Sequence, residues 1–98
     1  MNREECLKAA TDCVLKNRED VYGKPEDGFA LIARLWNSYL VAKLEARNGD
    51  GVAIEPADVA AMMIMLKLSR IAVTPGHADS WVDIAGYAAC GAECATSD

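Results

Sequence analysis

A chain of 98 residues has room for one domain. At this size only about 60–65% of the unfolded surface can be buried, so the core is marginal and homo-oligomerisation is expected. The composition, 52% hydrophobic and 26% charged, excludes disorder driven by low hydrophobicity. Fifteen acidic against ten basic side chains give a net charge of −5, which excludes a general affinity for DNA, RNA or anionic membrane, since these need a basic footprint. A phosphate-bearing ligand would have to be small and met by a local cluster of cations.

The opening Met1-Asn2-Arg3-Glu4-Glu5 lacks the apolar stretch of a secretory signal, which points to a cytoplasmic protein. Asn2 is a good N-cap, and Glu4 and Glu5 suit the first turn of a helix predicted over about 3–21. Cys6, Ala9, Ala10, Cys13, Val14 and Val21 repeat at helical spacing and mark one stripe for burial. Gly23 and Pro25 end that helix.

The second helix is predicted over about 26–47, with Phe29, Ile32, Leu35, Trp36, Tyr39 and Leu40 in repeat and Lys43 breaking the stripe. Asn48-Gly49-Asp50-Gly51 is a turn. Pro56 opens a third helix over about 57–73. Its eight-residue apolar run, Val59 to Leu66, falls well short of the twenty or so residues of a membrane span. That run predicts a central helix buried around most of its circumference. A fourth helix is expected over about 80–94, before a loose tail at 95–98. Its glycines, Gly86 and Gly91, each cost up to about 1 kcal/mol against alanine and imply close approach of another backbone, within the fold or across an interface. The sum is an all-α, four-helix antiparallel bundle-like single domain.

Cys6, Cys13, Cys90 and Cys94 have helical spacings, not the tight-turn spacing of structural zinc sites, and are expected in the core, with no metal and no disulfide. His77 has no acidic or thiol partner in local register, and no nucleophile elbow, P-loop or dinucleotide fingerprint is present, so no catalytic residue is assigned. Trp36 and Trp81 read as core or interface anchors.

Two polar clusters remain. Lys67 and Arg70 share a face of the third helix, and Asp79, Asp83 and Tyr87 share a face of the fourth. Counting outward from the turn at Thr74 to Ala78 sets Arg70 beside Asp83 and Lys67 beside Tyr87. The set is either a structural ion pair, with Ser80 and Asp83 as a capping box, or a phosphate site in which Asp79 and Asp83 orient the cations and Tyr87 hydrogen-bonds. Arg18, Tyr22 and Lys24 form the second cluster. They are either a solvated helix end favouring the dipole, or further phosphate ligands with Tyr22 stacked on a base.

Arg18-x-x-x-Tyr22-Gly23-Lys24-Pro25-Glu26-Asp27 is followed by Phe29-x-x-Ile32-x-x-Leu35-Trp36. Further on stand Asp58-Val59-Ala60-x-Met62-Met63-Ile64-x-Leu66-Lys67-x-x-Arg70-Ile71 and Asp79-Ser80-Trp81-Val82-Asp83-Ile84-Ala85-Gly86-Tyr87-Ala88. From Arg18 to Ala92 the chain thereby resembles a family of small phage and prophage proteins known as a domain of unknown function. The resemblance implies a viral or prophage origin and, with it, the host cytoplasm. Such proteins are similar in turn to all-α nucleoside triphosphate pyrophosphohydrolases of the MazG type, which hold magnesium on Glu-Glu-x-x-Glu and Glu-x-x-Asp. Here Glu55-Pro56-Ala57-Asp58 matches the second motif by letter, and Glu4-Glu5 is followed by Lys8 where the third glutamate of the first would stand.

Three functions follow as expectations. One is a non-enzymatic binder of a small nucleotide or nucleotide-derived messenger, needing no cofactor, which a phage would use to sequester a host defence signal. Its phosphate ligands would be Lys67, Arg70, Lys24 and Arg18, with Tyr22 or Tyr87 at the base. Another is a MazG-like hydrolase with Mg2+ on Glu4, Glu5, Glu55, Asp58, Asp79 or Asp83. The last is a structural or protein-binding helical oligomer.

Overall fold

The computed structural model describes residues 1–17, 23–49 and 53–96. Among the described residues there is no strand, and the chain is an all-α bundle domain of four α-helices: α1 (Arg3–Asp12), α2 (Pro25–Ala46), α3 (Pro56–Val73) and α4 (Ala78–Thr96). A π-helical segment, Cys13–Asn17, follows α1.

Local chemistry accounts for most helix ends. The Asn2 side chain accepts the Glu5 N–H at 2.8 Å, and Glu4 and Glu5 sit in the first turn as expected. Pro25 and Pro56 each open a helix where the missing N–H costs nothing. At the end of α2, Asn48 takes a left-handed conformation. The Gly49 N–H reaches the Leu44 carbonyl at 2.9 Å and the Asn48 N–H that of Glu45 at 3.0 Å, which is the Schellman closure of a helix.

Three boundaries differ from expectation. The α-helical part of the first element stops at Asp12 and gives way to the π segment, and 18–22 lie outside the described residues. At the other end α4 begins at Ala78, two residues early, and runs through Thr96, so Ala95 and Thr96 are helical rather than part of a loose tail. Ser80 is therefore no N-cap, and the Ser80/Asp83 capping box does not form. Ser80 is buried inside the first turn, its N–H on the His77 carbonyl at 3.1 Å and its hydroxyl 3.1 Å from His77 Nδ1.

α3 lies between α2 and α4 and is antiparallel to both, as the order of contacts shows. Along α2, Lys43 meets Asp58 and Trp36 Nε1 donates to the Met62 carbonyl at 2.8 Å, while Gly23, at the start, faces Val73. Along α4, Gly91 meets Ala60 and Asp83 meets Lys67. A Cβ on Gly91 would stand 2.8 Å from the Ala60 Cβ, so this glycine lets the two helices close up, as one of the two helical glycines was expected to do. Around Gly86 nothing lies within 4 Å of the same construction.

α3 is central but not enclosed. Met62 to Leu66 are half-buried, Val59 and Leu68 are exposed, and among the described residues Ala60 is the hydrophobic side chain that reaches full burial. All four cysteines are exposed, against the expectation of a core position; for Cys6 and Cys13 the reason is that, among the described residues, α1 and the π segment pack along no other helix.

Candidate binding site

The chain enters α2 through Gly23, at φ 77°, a backbone conformation costly for any residue with a Cβ. This turn carries Lys24 and Pro25 against the far end of α3. Between the two helices it leaves a cavity of about 290 Å³, close to the lower limit of small-molecule sites. Val14, Pro25, Phe29, Ile32 and Leu66 give it apolar walls, and Lys24 and Arg70 line it with positive charge. Ser69, also on the wall, is satisfied by donating to the Leu66 carbonyl at 2.6 Å.

Two further residues shape the space. Gly28 lies in the first turns of α2, and a Cβ added there would meet nothing within 4 Å, so the missing side chain keeps the cavity open. Phe29 follows it, 69% exposed, with its ring available at the wall. Neither was legible as a site residue. Phe29 reads in sequence as one more member of an apolar stripe, and Gly28 as an isolated helical glycine. At the helix start Pro25 has no N–H, and the Asp27 and Gly28 N–H groups donate to the Lys24 carbonyl, each at 3.1 Å. Lys24, the N-cap, is extended and supplies no side-chain cap to them.

The structure divides the sequence-derived set. Lys24 and Arg70, forty-odd residues apart in the chain, line one cavity. Lys67 instead points to α4, with Nζ 3.0 Å from Asp83 Oδ2; its side chain is nearly buried and that of Asp83 half-exposed. The counted register, Arg70 beside Asp83 and Lys67 beside Tyr87, is thus off by about one helical turn. The cause is the early start of α4, which shortens the connection, together with the Ala60–Gly91 contact, which sets the axial position. Tyr87 is half-buried one turn beyond Asp83, and Asp79 is exposed in the first turn of α4; neither lines the cavity. Arg18 and Tyr22 lie outside the described residues.

A second polar centre was missed altogether. Asp58 is buried at the start of α3 and bonded by three donors: Lys43 Nζ, Tyr39 OH at 2.5 Å and the Glu55 N–H at 2.8 Å. The Lys43 ammonium above all, then the tyrosine hydroxyl and the backbone N–H, hold its carboxyl at a pKa of about 2, against the opposing effect of burial. Tyr39 is correspondingly raised, first by donating to Asp58, then by burial and by the neighbouring charge. The sequence signal was a lone lysine in the α2 stripe with an acid three residues after a helix cap. Neither alone reveals that the two meet.

The carboxylates of the hydrolase reading are dispersed. Glu55 Oε1 lies 3.2 Å from Arg47 Nη1, Asp58 is engaged by Lys43 and Tyr39, and Asp83 by Lys67. Glu4 and Glu5 are on α1, at the other end of the element order. Among the described residues no three of His, Cys, Asp and Glu come together as a group that could hold a metal ion.

Residues 5–95 match the family model described as "Domain of unknown function (DUF6378)". The chain belongs to this family. It is 36% identical over 87 residues to the Gene 55 protein of Mycobacterium phage D29, covering 89% of this chain and 51% of that protein. With the Gene 55 protein of Mycobacterium phage L5 it shares 38% identity over 82 residues, 84% of this chain and 47% of the relative. The chain therefore spans about half the length of these relatives, and it is of phage type. No solved structure matches. Among the described residues no helix is long and apolar enough to cross a membrane.

Proposed function

We propose that this phage-type chain binds a small nucleotide or nucleotide-derived anion in the cavity between the start of α2 and the end of α3. The observation that carries the reading is the meeting of Lys24 and Arg70 on the wall of an otherwise apolar cavity. Phosphate oxygens would be met by the Lys24 ammonium and by the planar fork of Arg70, which suits two oxygens at once. The exposed Phe29 ring offers a face for a base, and stacking of this kind tolerates any base. Lys67, one turn from Arg70 and held by Asp83, adds positive potential along the same helix. Arg18 and Tyr22 precede Gly23 by a few residues and are the further ligands the sequence offers. Binding without turnover would serve a phage by withholding a host messenger.

The test is calorimetric titration with a nucleoside monophosphate, a nucleoside triphosphate and a cyclic dinucleotide, without and with magnesium. At least one should bind the purified chain, and Arg70→Ala should weaken it tenfold or more, the scale of one lost charged hydrogen bond. Gly28→Leu should block the cavity while leaving helicity unchanged, since nothing stands in its way. Absence of binding across the panel, or Arg70→Ala and Gly28→Leu both binding like the parent chain, would overturn the assignment. Magnesium-dependent cleavage of the triphosphate would replace the binder with a hydrolase.

A further inference from the structure

The isolated chain leaves far more surface uncovered than its size allows. Its accessible area is 7123 Å², whereas a folded monomer of 10.5 kDa exposes about 5,400 Å². The Cα radius of gyration is 16.2 Å, against roughly 12.6 Å for a compact domain of this length. The excess area, roughly 1,700 Å² per chain, is about twice the ~800 Å² that each partner gives up in a standard interface, and it falls in the range of obligate dimers.

Part of the excess lies on the first element and on α4. α1 packs along none of the other three helices, and Leu7, Val14 and Leu15 of this arm are 68, 53 and 75% exposed. Val82, Ala85, Gly86 and Ala89 share an uncharged side of α4, with Val82 66% exposed and open space around Gly86. Exposed apolar side chains gathered on one element mark an interaction site. The excess area matches what each partner of an obligate pair gives up, which points to a partner as a constant part of the fold. A second copy satisfies that condition by itself, and closed symmetric pairs are the commonest solution.

We propose that two copies of this chain associate through the α1 arm and the outward face of α4, each covering the surface the other leaves open. The association is part of folding, so α1 itself gains its tertiary contacts from the neighbouring copy, while Val14 after it already meets the cavity of its own chain. Val14 belongs both to this arm and to the cavity wall, whereas Arg70 and Gly28 lie on neither face, so their substitutions test the ligand assignment separately.

Size-exclusion chromatography with light scattering on the 98-residue chain, from about 1 to 100 µM, tests it. The expected mass is twice 10.5 kDa or a higher multiple. Leu7→Glu and Val82→Glu, both at positions with ample room in the single chain, should each shift the mass toward one copy and lower the helical signal. A parent chain that runs as a single copy over the whole range overturns the proposal, including one that gains mass only with another protein added. Unchanged mass in both variants overturns it as well, because the interface would then lie elsewhere.

Discussion

The α3–α4 pair and the α1 arm obey the same local rules, yet only one of them is packed. α3 and α4 are drawn together where Gly91 faces Ala60, and are tied a few turns away by Lys67 and Asp83. α1 is well started too, with the Asn2 cap and two acids in its first turn, but its apolar residues stand among many more charges than those of α3 and α4. Among the described residues α1 packs only on the π segment that follows it, and it is Val14 of that segment that reaches the cavity between α2 and α3. Capping and periodicity decide whether a segment is helical; what it packs against is decided by surface it has to share.

The comparison can be broken most forcefully at Gly91. Gly91→Val puts a branched side chain where a single Cβ already comes within 2.8 Å of an atom fixed to the α3 backbone. The expected cost is about 2–3 kcal/mol of overpacking, or a fall in Tm of roughly 10–20 °C by circular dichroism. A thermal curve unchanged by this substitution would mean that the two helices are not held at the described spacing.

The next effect is in acid. Asp58 has a folded pKa of about 2, below the ~3.9 of an unfolded aspartate, so its contribution is complete above about pH 4 and is lost as pH falls toward 2. The parent chain should therefore lose more stability between pH 4 and 2 than an Asp58→Asn variant does. Lys43→Met should raise the carboxyl pKa, read by NMR titration of the side-chain carbons, and Tyr39→Phe should raise it less, following the order of their contributions.

The smallest effect sharpens the contrast between packing and function. Gly28→Ala, in open space within a helix, should stabilise the chain by up to about 1 kcal/mol while weakening ligand binding. Stabilisation with unaltered binding would move the ligand away from this cavity.

These regions also show what a sequence can reveal. The helix starts at Asn2, Pro25 and Pro56 and the stop at Asn48-Gly49 were legible because each depends on the residue itself and its nearest neighbours. The α3–α4 register was not, since it rests on where α4 begins and on which glycine meets which alanine. The Lys43–Asp58–Tyr39 centre joins residues that become neighbours only once α2 folds back on α3. The cysteines were expected inside from residue type alone, and all four are exposed. Of the cavity, its two cations were visible as candidates; the opening at Gly28 and the exposed ring of Phe29 were not, because both depend on the angle at which the chain enters α2.

Hydrogen exchange compares the two regions directly. If a second copy completes the fold, the α1 amides should be protected at about 100 µM to a degree approaching that of α3. On dilution that protection should fall together with the assembled mass, since exchange reads out local opening. An α1 that exchanges like an isolated helix at every concentration, beside a protected α3, would contradict the account and leave the arm without a role in assembly.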